Sequence, residues 1–149
     1  MRRSYSGGFG MKDDPVRIKS YLAEIKRNSL ALQQLIDQDE LAPESIPLKA
    51  AKYILIELAE AMSNTIQHIL AKGKGIAVSG YIDAIVKAQA HGIISDDLFQ
   101  RLKPFFNFRN SLIHRYWIID DRKLIENIHN GRGDFERFIE EIEAFMKTD

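Results

Sequence analysis

An all-α bundle of about five helices is the fold that the sequence predicts, and three observations carry that expectation. Apolar residues recur three and four apart along successive segments, the period of a helix with one buried stripe. No segment alternates polar and apolar residues long enough to make a half-buried strand, and the β-rich run Trp117, Ile118, Ile119 is too short for a sheet. Most prolines and glycines fall between the periodic runs rather than inside them. A length of 149 residues suits one core of ordinary size, so residues 13–149 are expected to form a single domain. Residues 1–12, which open MRRSYSGGFG, show no periodicity and are expected to be a mobile tail outside the fold.

The first helix is expected from Asp13 or Asp14, with Pro15 in the first turn, where its missing N–H is no loss. Val16, Tyr21, Leu22, Ile25, Leu32, Leu35 and Ile36 repeat along it, and the acidic, proline-bearing stretch 37–47 ends the pattern. A second run from near Pro47 aligns Leu55, Leu58, Met62, Ile66 and Ile69 on one stripe and stops at Gly73 and Gly75. The third helix is short, Tyr81 to His91, with Gly92 as its cap. Ser95 then supplies a hydroxyl cap, and Asp96 and Asp97 place acids in the positive first turn of a fourth helix. Pro104 predicts a break or a fresh start within that helix, because its ring crowds the preceding turn and it has no N–H to donate. The pattern resumes at Phe105 and runs to about Arg115. A last helical region spans Asp121 to Lys147, dented or broken at Gly131, Arg132 and Gly133.

Composition narrows the function. Twenty-one Lys and Arg balance 21 Asp and Glu, which excludes a polybasic nucleic-acid binder but not a local basic site. The charge is unevenly spread. Residues 101–122 carry five basic and two acidic side chains, a net +3, whereas residues 134–149 carry six acidic and two basic ones, a net −4. The acidic segment is read as the solvated face of the last helix. With no cysteine, disulfides, thiolate ligands and cysteine nucleophiles are excluded together. No apolar run approaches the roughly 20 residues of a membrane span, and Arg2 and Arg3 are not followed by an apolar segment, so the expectation is a cytoplasmic protein with no membrane partner.

Chemistry concentrates in one segment, FFNFRNSLIHRYWIID, which places Arg109, Asn110, Ser111, His114, Arg115, Tyr116 and Trp117 within nine positions at a helix end. A purely structural account competes here, since Phe105, Phe106, Leu112 and Ile113 supply core and basic groups suit a helix C-terminus. A histidine exchanges protons near neutral pH, and an arginine offers a planar fork for a phosphate and for the charge that grows on it. Without a metal, that pair suits RNA, whose 2′-OH is an internal nucleophile that needs only deprotonation. Geometry adds a condition. At about 100° per residue Asn110 and His114 share a helix face, whereas Arg109 and His114 stand about 140° apart. The pair converges only if the helix ends between them, or if a second copy of the chain contributes across an interface. A catalytic reading therefore implies a symmetric homodimer with a composite cleft.

The run Arg109 to Tyr116 has the form R-x-x-x-x-H-x-Y. It resembles the signature of HepT-like proteins, the minimal HEPN (higher eukaryotes and prokaryotes nucleotide-binding) domains. Residues 53–68, 79–110 and 118–128 also look like that family's second to fifth helices, and the resemblance spans roughly Pro15 to Met146. It implies a five-helix HEPN-type bundle on an up-down four-helix core, in a dimeric toxin of a type II toxin–antitoxin pair. The implied activity is metal-independent endoribonuclease cleavage of RNA, tRNA included, with no cofactor. The implied partner is an MNT-type nucleotidyltransferase antitoxin. Carried over by position, Arg109 and His114 match the catalytic pair, Asn110 the polar residue after the arginine, and Tyr116 the tyrosine that receives AMP. Arg101, Lys103 and Arg115 are candidates for RNA contact. Two departures stand out: Arg115, where a small residue is common, and the glycines at 131 and 133 in a helix usually free of them.

Other residues are read plainly. His68 is a packed or surface histidine, His91 belongs to a helix end, and His129 has no assigned role. The run Gly73 to Gly80 lacks the order of a phosphate-binding loop and no strand precedes it. Ser111 has no triad partners beyond His114, and Glu57 and Glu60 are taken as surface charge. The alternative function is a non-catalytic HEPN module that docks a nucleotidyltransferase. The intact Arg109, His114 and Tyr116 favour the enzyme, because a docking surface has no need of a proton-shuttling histidine near an arginine.

Overall fold

The computed structural model describes residues 13–115 and 120–148, with side chains for 15–111 and 120–148. Six helices follow one another: α1 (Asp13–Asp37), α2 (Ile46–Lys74), α3 (Tyr81–Ala90), α4 (Asp96–Arg115), α5 (Asp121–Asn130) and α6 (Asp134–Thr148). The chain is all-helical among the described residues, as expected. It has one more helix than the sequence predicts, because the dent at residues 131–133 is a complete break. The expected tail, 1–12, lies outside the described residues.

Each start and stop has a local cause. Ser45 accepts a hydrogen bond from the Leu48 N–H at 3.1 Å and opens α2, with Pro47 in its first turn. Gly75 closes α2 in the left-handed region, φ 66°, which a side chain would disfavour. Ser95 accepts from the Leu98 N–H at 3.2 Å and opens α4, and Asp120 accepts from the Arg122 and Lys123 N–H groups to open α5. The expectation of a break at Pro104 is not met, since α4 runs unbroken from Asp96 to Arg115. The residues around the proline explain why. Leu102, Phe105, Phe106 and Phe108 are all buried, and burying each aromatic or leucine side chain is worth about 1.5–3 kcal/mol. Their sum exceeds the roughly 3 kcal/mol that an interior proline costs a helix.

Packing closes a ring. The long hairpin of α1 and α2 shares the largest interface, α2 packs on α4, α4 on α6, and α6 returns to α1. This is the four-helix core, and α3 leans on α2 and α4 beside it. Ile25, Leu55, Leu58, Met62, Leu98, Phe106 and Phe138 are fully buried at its centre. The corner between α5 and α6 sits directly on α4. A Cβ at Gly131 would lie 2.7 Å from the Phe105 ring, so only glycine permits the approach. Beside it the buried Asp134 accepts from Arg101 Nε at 2.7 Å, while Arg101 also donates to the Asn130 carbonyl at 3.0 Å. At the other end of α5, Asp121 pairs with Lys52 of α2 at 2.9 Å and accepts from the Glu44 N–H at 2.9 Å. The Lys52 ammonium, with that N–H behind it, holds the Asp121 carboxyl below the ordinary aspartate range against the opposing effect of burial.

Candidate active site

Three elements meet at Arg109. Helix α4 carries it, α2 contributes Glu60, and the first residue of α3 contributes Tyr81. The guanidinium carbon lies 3.7 Å from the centre of the Tyr81 ring, a stacked cation–π arrangement. Arg109 Nη2 stands 3.5 Å from Glu60 Oε2. The Arg109 side chain is only 15% exposed, and its Nε is buried with no hydrogen-bond acceptor among the described residues. A buried donor without a partner is costly. The cation is thus held in place with its Nε unpaired among the described residues. Burial pushes the Tyr81 phenol above its ordinary pKa, with Arg109 opposing and Glu60 assisting, so Tyr81 is a neutral ring and hydroxyl near neutral pH.

The loop before α3 delivers Tyr81 to this place. Asp83 accepts from the Ser79 N–H at 2.9 Å and pairs with Lys87 at 3.0 Å, and Lys87 also donates to the Ala77 carbonyl at 2.9 Å. The Ser79 N–H, followed by Lys87, keeps the Asp83 carboxyl below the ordinary range. The glycine-bearing run 73–80 is therefore a helix end and a pinned connector, and its effect is to set Tyr81 against Arg109. Ser79, Gly80, Tyr81, Asp83, Arg109 and Asn110 line an open groove of about 420 Å³. Arg109 and Asn110 thus share one groove.

The other candidates are placed as follows. His114 and Arg115 lie on the last turn of α4, their side chains outside the described set, and Tyr116 lies outside the described residues altogether. Because α4 is unbroken between Arg109 and His114, the first route to convergence, a helix end between them, does not exist. Their positions stay about 140° apart around one regular helix. Arg101 sits more than two turns before Arg109 and is engaged with Asp134 and Asn130. Lys103 holds its ammonium 5.5 Å from the centre of the Phe99 ring. His68 packs edge-on against Tyr21, with ring centres 6.4 Å apart. Among the described residues no three His, Asp or Glu side chains gather to hold a metal, and no helix is long and apolar enough to cross a membrane.

Two residues escaped the sequence reading. Glu60 was expected to be surface charge, and Tyr81 was read only as a helix start. Neither has a signal in the sequence, because Glu60 is 49 positions from Arg109 and only the packing of α2, α3 and α4 brings the three together.

Comparison with known proteins follows the same lines. A family model described as Ribonuclease HepT-like matches residues 18–142. Among solved structures, a Shewanella oneidensis HEPN toxin, tri-AMPylated and in complex with an MNT antitoxin, superposes with a TM-score of 0.76 at 22% identity, covering 85% of this chain and 96% of that one. A toxin–antitoxin complex with AMP-PNP gives a TM-score of 0.74 at 21% identity, covering 84% and 96%. YutE of Bacillus subtilis, a cytosolic protein of unknown function, gives 0.75 at 17% identity, covering 91% and 92%. No curated protein sequence matches. At these identities the superpositions establish a shared fold.

Proposed function

The chain belongs to the HepT-like ribonuclease family, and on that premise we propose that it is the toxin of a toxin–antitoxin pair, a cytoplasmic endoribonuclease that needs no metal. The observation that carries the reading is Arg109 itself: a guanidinium clamped between Tyr81 and Glu60, under-bonded, and opening on a groove it shares with Asn110. An arginine held this way is preorganised for a phosphate and for the charge that develops on it during cleavage. His114 takes the proton from the 2′-OH and returns one to the leaving oxygen. Since α4 keeps the two positions apart within one chain, Arg109 of one protomer works with His114 of its partner in a homodimer. Lys103 and Arg115 lead the RNA backbone toward the cleft, while Arg101 is engaged within the fold by Asp134 and Asn130.

The partner is an MNT-type nucleotidyltransferase, by analogy with the Shewanella oneidensis complex. It silences the toxin by attaching AMP to Tyr116. That adds a negative phosphate and a base two residues from His114, where it fills the arginine's fork and repels the incoming strand.

The test is a cleavage assay on single-stranded RNA with the full chain. His114→Ala should lower the rate by about 100-fold or more while the protein stays folded. Arg109→Lys should fail comparably, since an ammonium does not reproduce the planar fork. EDTA should leave the rate unchanged, and a rate lost to EDTA and regained with added metal overturns the mechanism. Co-expression with the nucleotidyltransferase should add AMP mass to the chain but not to Tyr116→Phe, which should keep cutting.

A further inference from the structure

The Arg109–Glu60 contact is long for a hydrogen bond. At 3.5 Å it lies beyond the usual N–H···O range of about 2.7–3.2 Å, so the carboxylate attracts the guanidinium without saturating it. Glu60 is the outer member of the pair: its side chain is 41% exposed, whereas that of Arg109 is 15% exposed. An anion that approaches Arg109 from solvent therefore meets the Glu60 carboxylate at the same nitrogen. Tyr81 acts differently. The guanidinium carbon sits over its ring face, 3.7 Å from the centre, and as a neutral phenol Tyr81 adds no competing charge.

We propose that Glu60 and Tyr81 are positioning residues for Arg109, and that Glu60, which stays paired with the guanidinium when the strand is bound, also competes with the RNA phosphate for it. The proposal rests on the ribonuclease reading for its substrate, but its geometry belongs to the three side chains alone. It separates two quantities that a merely structural role would move together. Removing the carboxylate's charge takes away a competitor, so RNA binds more tightly in the ground state. It also frees the guanidinium from its set orientation, so less of the binding is realised in the transition state and kcat falls.

The binding probe is a single-stranded RNA carrying 2′-O-methyl groups throughout, which cannot be cut, and the kinetic probe is the same RNA unmodified. Glu60→Gln should bind the probe about 5-fold more tightly and lower kcat about 10-fold, magnitudes typical of one exposed charge and one misaligned group. Glu60→Ala should follow it, and Glu60→Asp, which keeps the charge, should bind as the parent does. In an Arg109→Ala background Glu60→Gln should leave affinity unchanged. Tyr81→Leu should lower kcat about 10-fold at an unchanged melting temperature, and Tyr81→Phe, which keeps the ring, should restore it. Equal or weaker binding by Glu60→Gln overturns the proposal. So does the same gain in the Arg109→Ala background, which would mark a general charge effect. If the parent binds the probe but does not cut RNA, the ribonuclease reading fails while the binding cycle still decides on Glu60. If it does not bind at all, both fail.

Discussion

Arg101 and Arg109 leave the same helix eight residues apart and meet opposite environments. Arg101 reaches a buried carboxylate and a backbone carbonyl at 2.7 and 3.0 Å, so its donors are largely satisfied within the fold. Arg109 pairs with the Glu60 carboxylate at 3.5 Å and lies over the Tyr81 ring, with its Nε unpaired among the described residues. The same charge is structural in one place and available in the other, and the partner's distance and burial make the difference. Arg101→Ala leaves Asp134, which is 4% exposed, without its donor. We expect a loss of about 2 kcal/mol, the usual scale for a hydrogen bond to a charged group, as read by urea unfolding. Affinity for RNA should change little. A variant of full stability with weakened RNA binding would instead make Arg101 a contact to the substrate.

Helix α4 shows packing overriding local preference. Pro104 is exposed and removes one backbone bond, yet the helix passes through it because buried Leu98 and Leu102 before it and Phe105, Phe106 and Phe108 after it hold the axis. The helix therefore carries a local cost that it does not need for its fold. Pro104→Ala restores the N–H and relieves the ring, against the gain in unfolded-chain freedom of about 0.4–1 kcal/mol that removing a proline brings. The net should be a stabilisation of about 2 kcal/mol, or a melting temperature higher by about 6 °C. A lower melting temperature would mean that contacts of the proline ring outweigh the lost bond. The same continuity matters for the site. An unbroken α4 keeps positions 109 and 114 on different sides of one helix.

At the scale of the whole molecule that separation becomes an argument about assembly. A ring of α1, α2, α4 and α6 leaves the Arg109 groove open beside α3, and nothing within one chain's regular α4 brings position 114 round to it. Mixed dimers test whether a second chain does. A protomer with Arg109→Ala paired with one carrying His114→Ala retains one intact pair if the site is shared between chains, and none if each chain builds its own. Mixing the two inactive proteins should therefore recover about a quarter of the parent activity, since about half of randomly exchanged dimers are mixed and each holds one of two sites. Mixtures as inactive as their components overturn the shared site, as does light scattering that finds only monomer at micromolar concentration.

The helical class, the cap at Ser95, the stop at Gly75 and the apolar stripe of α2 were all legible in the order of residues, because each depends on neighbours within about one turn or on a period of 3.6. So was the grouping of Arg109, Asn110, His114 and Tyr116, which is a matter of spacing along a line. Three things were not legible. Whether Pro104 breaks α4 depends on how deeply Phe105, Phe106 and Phe108 are buried, and that is a property of α2 and α6 as much as of α4. Whether the dent at 131–133 is a bend or a full break depends on Gly131 touching Phe105, 26 residues away. The surroundings of Arg109 depend on Glu60 and Tyr81, which lie on other helices and carry no motif. Local propensity is written in sequence, but the energy that decides between a satisfied arginine and an available one comes from side chains that only the folded packing brings within 4 Å.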